Sequence, residues 1–144
     1  GAALEDAGRS SRKPWWRRWF GSRSERAAER HLRRLGHQVL ARNWRCPLGE
    51  LDLVTRDQAH IVFVEVRSSE GDVSVPLASV DAKKQARLVR LALAFLKQHG
   101  LMDRPARFDV VVVSWPAHVR QAAIHHFSHA FDVAPGRPGG GMFA

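Results

Sequence analysis

The sequence predicts an α/β fold, a mixed β-sheet flanked by helices in the order αβββαββ. Three observations predict it. Two segments, 22 to 35 and 82 to 98, carry apolar residues at helical spacing between start and stop signals. Three β-type runs lie between them, joined by connections short enough for hairpins. After the second helix comes "RFDVVVVSW", a near-continuous Val run of the kind a sheet buries on both faces.

In the first helix, "SRSERAAERHLRRLG", Ser22 and Glu25 stand at capping-box spacing, Ala28, Leu32 and Leu35 recur on one face, and Gly36 is the stop. Strands at 38 to 44, 50 to 55 and 60 to 67, separated by "RCPLG" and "RDQA", form a meander. Asp81 then N-caps "AKKQARLVRLALAFLKQHG", where Leu88, Leu91, Ala92, Phe95 and Leu96 make an apolar stripe and Gly100 ends the helix. This helix serves as a right-handed crossover to the fourth strand, and a weaker fifth strand is expected at 119 to 127. Residues 1 to 21, polar and then "KPWWRRWFG", read as a flexible basic, Trp-rich arm. Residues 22 to 133 read as one domain, and 134 to 144, with "PGRPGGGMFA", as a disordered tail.

A chain of 144 residues with 44% apolar content supports one core of ordinary size. The net charge is +9; residues 1 to 23 hold six basic and two acidic side chains, a net +4, leaving +5 for the rest. A basic excess in both parts favours polyanionic partners, nucleic acid first and an anionic membrane second. "PWWRRWF" suits base stacking and cation–π contacts as well as a membrane interface. A single cysteine, Cys46, excludes an internal disulfide and a Cys-rich zinc site. With no long apolar run and no signal-peptide pattern, a soluble cytoplasmic protein without stable membrane anchoring is expected. His125 and His129 in "HHFSH" have zinc spacing only on a helix; the segment reads as a strand, with no third ligand near.

The chemistry concentrates in "IVFVEVR", residues 61 to 67, where Glu65 and Arg67 interrupt an apolar strand. A carboxylate there needs a cation, a metal or hydrogen bonds to offset its desolvation. If the preceding turn centres on Asp57 and Gln58, Glu50 lies opposite Glu65; if on Gln58 and Ala59, Asp52 does. Either way, strand alternation sets Glu50, Asp52, Glu65 and Arg67 on one face and Leu51, Leu53, Val62, Val64 and Val66 on the other. Clustered carboxylates repel one another, and Mg²⁺ prefers their oxygens. Glu25, three and seven residues from Ala28 and Leu32, points from the first helix toward this sheet.

These residues carry a resemblance. Glu25 in the first helix, "ARNWR", "GELDLV", "FVEVR", the "KKQARL" helix start and "RFDVV" resemble the YraN-type family of uncharacterised bacterial proteins over residues 24 to about 115. That family is similar to Holliday-junction resolvases and the wider restriction-endonuclease-like nucleases, whose motif is an Asp, then Glu-x-Lys about a dozen residues on. The resemblance implies a restriction-endonuclease-like fold and a Mg²⁺- or Mn²⁺-dependent endonuclease acting on branched or damaged DNA, acting as a homodimer. It assigns Asp52 and Glu65 as metal ligands, Glu50 as a second acidic neighbour and Glu25 as an accessory acid. Lys84 falls on a basic position opening the second helix, beside a stripe of Lys83, Arg87, Arg90 and Lys97 that suits DNA phosphates and equally an ordinary solvated face. The sequence departs from the motif at Arg67, which replaces the Lys, at Ser24, which replaces a Gly, and at "VSVP", residues 73 to 76. Arg67 supplies positive charge but keeps its proton at any accessible pH. It equally suits an ion pair with Glu65 or Glu50. A second class therefore stands beside the nuclease: a non-enzymatic nucleic-acid-binding or adaptor module.

Overall fold

The computed structural model describes residues 15–69, 81–116 and 120–131, with side chains from residue 23 onward. The expected tail, the "VSVP" segment and the first part of the arm lie outside these residues. The elements are α1 (Trp15–Arg34), β1 (Gln38–Cys46), β2 (Gly49–Arg56), β3 (Ile61–Ser69), α2 (Ala82–Gln98), β4 (Ala106–Ser114) and β5 (Ala123–Phe131). This is the αβββαββ order, and the five strands form one sheet in the order β1-β2-β3-β4-β5. β3 and β4 are parallel across the α2 crossover, and the other neighbours are antiparallel.

Two apolar layers sandwich the sheet. Under α2, Leu88, Leu91, Ala92, Phe95 and Leu96 pack on Val54, Ile61, Phe63, Phe108, Val110 and Val112. Under α1, Ala27, Ala28 and Leu32 pack on Leu53, Val62, Val64, Val111 and Val113. β4 is therefore buried on both faces, which is why its sequence is a Val run instead of an alternation. Phe95 anchors the α2 layer edge-on to Phe63 and Trp44.

Helix ends follow local chemistry. Asp81 accepts from the Lys84 backbone N–H at 2.8 Å, the expected N-cap. Both helices stop in Schellman turns: the His37 N–H bonds to Leu32 O and Gly36 N–H to Arg33 O, and Leu101 and Gly100 repeat the pattern after α2. Gly36 has φ 95° and Gly100 φ 68°, the left-handed region that glycine enters without cost.

Three expectations about elements need correction. α1 begins at Trp15, so residues 15 to 21 are helical and Ser22 lies inside the helix instead of capping it. Extending a helix that tertiary packing already holds requires no new nucleus. Leu35 lies beyond the helix end and is 56% exposed, so Ala27 takes the place given to it on the buried face. β5 runs four residues later than expected, because pairing with β4 sets Phe127 opposite Val110 and stacks Phe131 on Phe108 with ring centroids 4.5 Å apart.

The β2–β3 turn decides the register of the site. Asp57 Oδ1 accepts from the backbone N–H groups of Ala59 and His60 at 2.9 and 2.7 Å, which closes residues 57 to 60 into an Asx-type loop. Arg56 then pairs with Ile61 and Leu53 with Val64. Continued by one position, this register sets Asp52 opposite Glu65, the second of the two sequence alternatives.

Candidate active site

The β2–β3 ladder ends at the Leu53–Val64 pair, and the sheet opens where Asp52 and Glu65 stand. Asp52 Oδ2 accepts from the Val66 backbone N–H at 2.9 Å, so the carboxylate takes the place of a missing ladder acceptor. Its carboxyl is within hydrogen-bond reach of Glu65. Glu65 and Arg67 stand beside Val110 and Val112 of β4 and share the α2 face.

The flat acidic face read from alternation is not what forms. Leu51 packs in the layer under α2, whereas Leu53 packs under α1. Released from β3, β2 rolls through Asp52, and Asn43 beside it on β1 adopts φ 49°. With its amide oriented to donate, Asn43 reaches Glu50 Oε2 at 3.1 Å and both Glu25 oxygens at 3.2 Å. Glu50 is also 3.5 Å from Arg45 Nε. Glu25 and Glu50 thus share a donor between α1 and β1, while Glu65 faces α2. Asp52 feels both Glu65 and Glu25.

Electrostatics at Asp52 are one-sided. Burial of its carboxyl, then repulsion from Glu65, holds its pKa well above the usual carboxylate range; the Val66 N–H opposes this and Glu25 adds to it. Two cations lie next to the pair. Lys84 Nζ is 2.6 Å from Glu65 Oε2, and Arg67 Nη2 is 3.9 Å from the same oxygen. Lys83, Arg87, Arg90 and Lys97 are exposed on the outer side of α2, so Lys84 parts from the stripe grouped with it and turns inward.

Beside the cluster, Trp115 donates from Nε1 to Ser24 Oγ at 3.0 Å, Ser24 is bonded to Ser68, and the Arg23 guanidinium lies 3.6 Å over the Trp115 ring. Ser24 is fully buried, and its hydroxyl has a use that the Gly of the motif would lack. Among the described residues, no group of three or more His, Cys, Asp or Glu forms a ready-made metal cage. The donor set at the open end of the sheet is the Asp52–Glu65 pair.

A second buried carboxylate went unread in the sequence. Asp109 in "RFDVV" is fully buried on β4 and accepts from Arg107 Nε at 3.0 Å, His126 Nε2 at 2.8 Å and the His129 N–H at 3.2 Å. A carboxylate only accepts, which assigns the His126 proton to Nε2; Nδ1 then accepts from His31 Nε2 at 3.0 Å, linking α1 to β5. Arg107 continues to Asp57 at 3.0 Å. His129, at φ 54°, sits in the bulge opposite Asp109. From "HHFSH", the His126 ring and the His129 backbone thus serve this network, whose only sequence signal is one Asp opening a Val run. Asn43 likewise went unread, although it stands in "ARNWR".

Fold and site together define a class: a mixed five-stranded α/β domain with a carboxylate pair where its central hairpin opens. The profile of the uncharacterised protein family UPF0102 matches residues 24–113, and the chain belongs to that family, as its motifs implied. A UPF0102 protein of Roseiflexus castenholzii is 42% identical over 117 residues, covering 80% of this chain and 94% of the relative. One of Moorella thermoacetica is 43% identical over 116 residues, covering 80% and 97%, and one of Frankia alni is 44% identical over 113, covering 78% and 93%. No helix among the described residues is long and apolar enough to cross a membrane.

Proposed function

We propose that this protein binds DNA, with branched or damaged DNA as its substrate class, and hydrolyses a phosphodiester bond there with Mg²⁺ or Mn²⁺. The observation that carries the reading is the Asp52–Glu65 pair: two carboxylates in contact, one of them desolvated and raised in pKa, flanked by Lys84 and Arg67. Such a pair fits a hard divalent cation, since Mg²⁺ is commonly held by one or two carboxylates and keeps several waters. Asp52 and Glu65 would hold the ion, which supplies polarisation of a phosphoryl oxygen and activation of a water.

The remaining roles belong to the chain. Arg67 places fixed positive charge beside Glu65, suited to the charge that accumulates on the phosphoryl oxygens as the water attacks. It stabilises charge without accepting a proton. Glu25 and Glu50, tied through Asn43, add negative potential behind Asp52. Lys83, Arg87 and Arg90, exposed along α2, suit the DNA backbone, giving binding that weakens with salt. The resemblance to resolvases adds a symmetric dimer, which sedimentation with and without DNA tests.

The test is cleavage of four-way junction, flap, nicked and single-stranded DNA with Mg²⁺ or Mn²⁺. Wild type should cleave at least one substrate, and Asp52→Asn and Glu65→Gln should each lower the rate at least about 100-fold, the scale of a lost electrostatic catalytic group, while still binding DNA. A protein that binds every substrate yet cleaves none is the non-enzymatic module, the reading that Arg67 in place of the motif Lys favours.

A further inference from the structure

Beyond its Asp81 cap, α2 opens with cations where the helix dipole favours negative charge. Its first turn contains no acidic residue, and Lys83 and Lys84 occupy the second and third positions. Lys83 is exposed and its charge is screened. Lys84 is half-buried, and its ammonium lies 2.6 Å from Glu65 Oε2, much closer than the Arg67 guanidinium at 3.9 Å. A residue that violates a local preference and is compensated by one specific long-range partner marks a place where local stability yields to the site.

Resting on the metal reading above, we infer that Lys84 is the resident counter-ion of the acidic pair: its ammonium occupies the cation's place on Glu65, yields it when a divalent ion arrives, and then turns to the DNA phosphate. Geometry permits this exchange. The Lys84 backbone is held by the Asp81 cap, so its side chain can leave Glu65 without disturbing the helix. Lys also suits exchange better than Arg, having a compact charge on a flexible stem and no bidentate geometry to break.

Two opposite effects follow in one variant. Removing the ammonium with Lys84→Met frees Glu65 for the ion, so Mn²⁺ titrated calorimetrically into DNA-free protein should bind about tenfold tighter than to wild type, the scale of one like charge removed a few ångströms away near a surface. The same variant, assayed with Ca²⁺ present, should bind junction DNA several-fold more weakly. Lys84→Arg should stay close to wild type in DNA binding. If Lys84→Met folds poorly, Lys84→Gln makes the same comparison with a polar side chain. Equal Mn²⁺ affinity in wild type and both Lys84 variants overturns the inference while leaving the metal site standing. Absence of Mn²⁺ binding in wild type and in Asp52→Asn alike overturns the metal reading and this inference with it.

Discussion

Asp52 and Asp109 are aspartates withdrawn from water on the same sheet, one on β2 and one on β4, and burial pushes both pKa values up. At Asp109 the push is overcome: His126 and Arg107 donate to the carboxylate, Arg107 adds its charge, and the His129 N–H contributes, so the pKa ends below the usual value. At Asp52 the Val66 N–H opposes burial, but the charges that act on it most, Glu65 and Glu25, are negative, so the pKa ends well above it. The difference is in the neighbours. Asp109 is embedded in the Arg107, His126 and His31 network that ties α1 and β5 to the sheet, and its charge stabilises the fold. Asp52 stands where pairing has stopped, and its charge is a cost that a bound cation would offset. Strongly raised carboxylates next to other carboxylates cluster at functional sites for this reason.

The largest way to break the comparison is Asp109→Ala. It leaves Arg107 and His126 without their shared acceptor in a buried setting, and chemical denaturation should show a loss of about 3 to 5 kcal/mol. Asp52→Asn should have the opposite sign. The amide keeps an acceptor for Val66 and removes a charge that burial and Glu65 disfavour, so stability at pH 7 should rise, by on the order of 1 kcal/mol or more. The same variant should lose any rise in melting temperature that Mn²⁺ gives wild type.

The pH dependence sharpens the contrast. A raised carboxyl contributes stability that is full below its ordinary value of 3.8 and is lost as pH climbs to the folded-state value. A lowered one contributes stability present above 3.8 and lost as pH falls through its depressed value. Wild type should therefore lose stability from Asp52 on the way up from pH 3.8. Asp52→Asn should remove that loss and leave the acid-side loss at Asp109 intact. Denaturant midpoints across this range would count against the assignment if both variants traced the wild-type curve. The smallest effect belongs to Glu29, whose carboxylate bridges Arg33 and Arg42 at 2.9 and 2.7 Å beside largely exposed guanidinium groups. Glu29→Gln should cost no more than about 1 kcal/mol, because solvent screens such pairs.

What the sequence by itself determined is what local chemistry and period control. The α2 stripe, its Asp81 cap and Gly100 stop, the meander and the doubly buried β4 are each written in residues within a few positions of one another. Asp52 opposite Glu65 was one of two registers the alternation allowed, and Asp57 selected it through a turn only a few residues long. Tertiary structure decided the rest, because it depends on which strand ends where and what then lies beside it. β2 rolls at Asp52 since β3 no longer holds it, so Leu51 and Leu53 enter different layers and the expected flat acidic face becomes a cluster between two helices. Lys84 reaches Glu65 only because the crossover returns α2 over β3, 19 positions along the chain. Asp109, His126 and His31 meet across 95 positions of sequence, where no local period connects them, and burial makes each of their hydrogen bonds necessary.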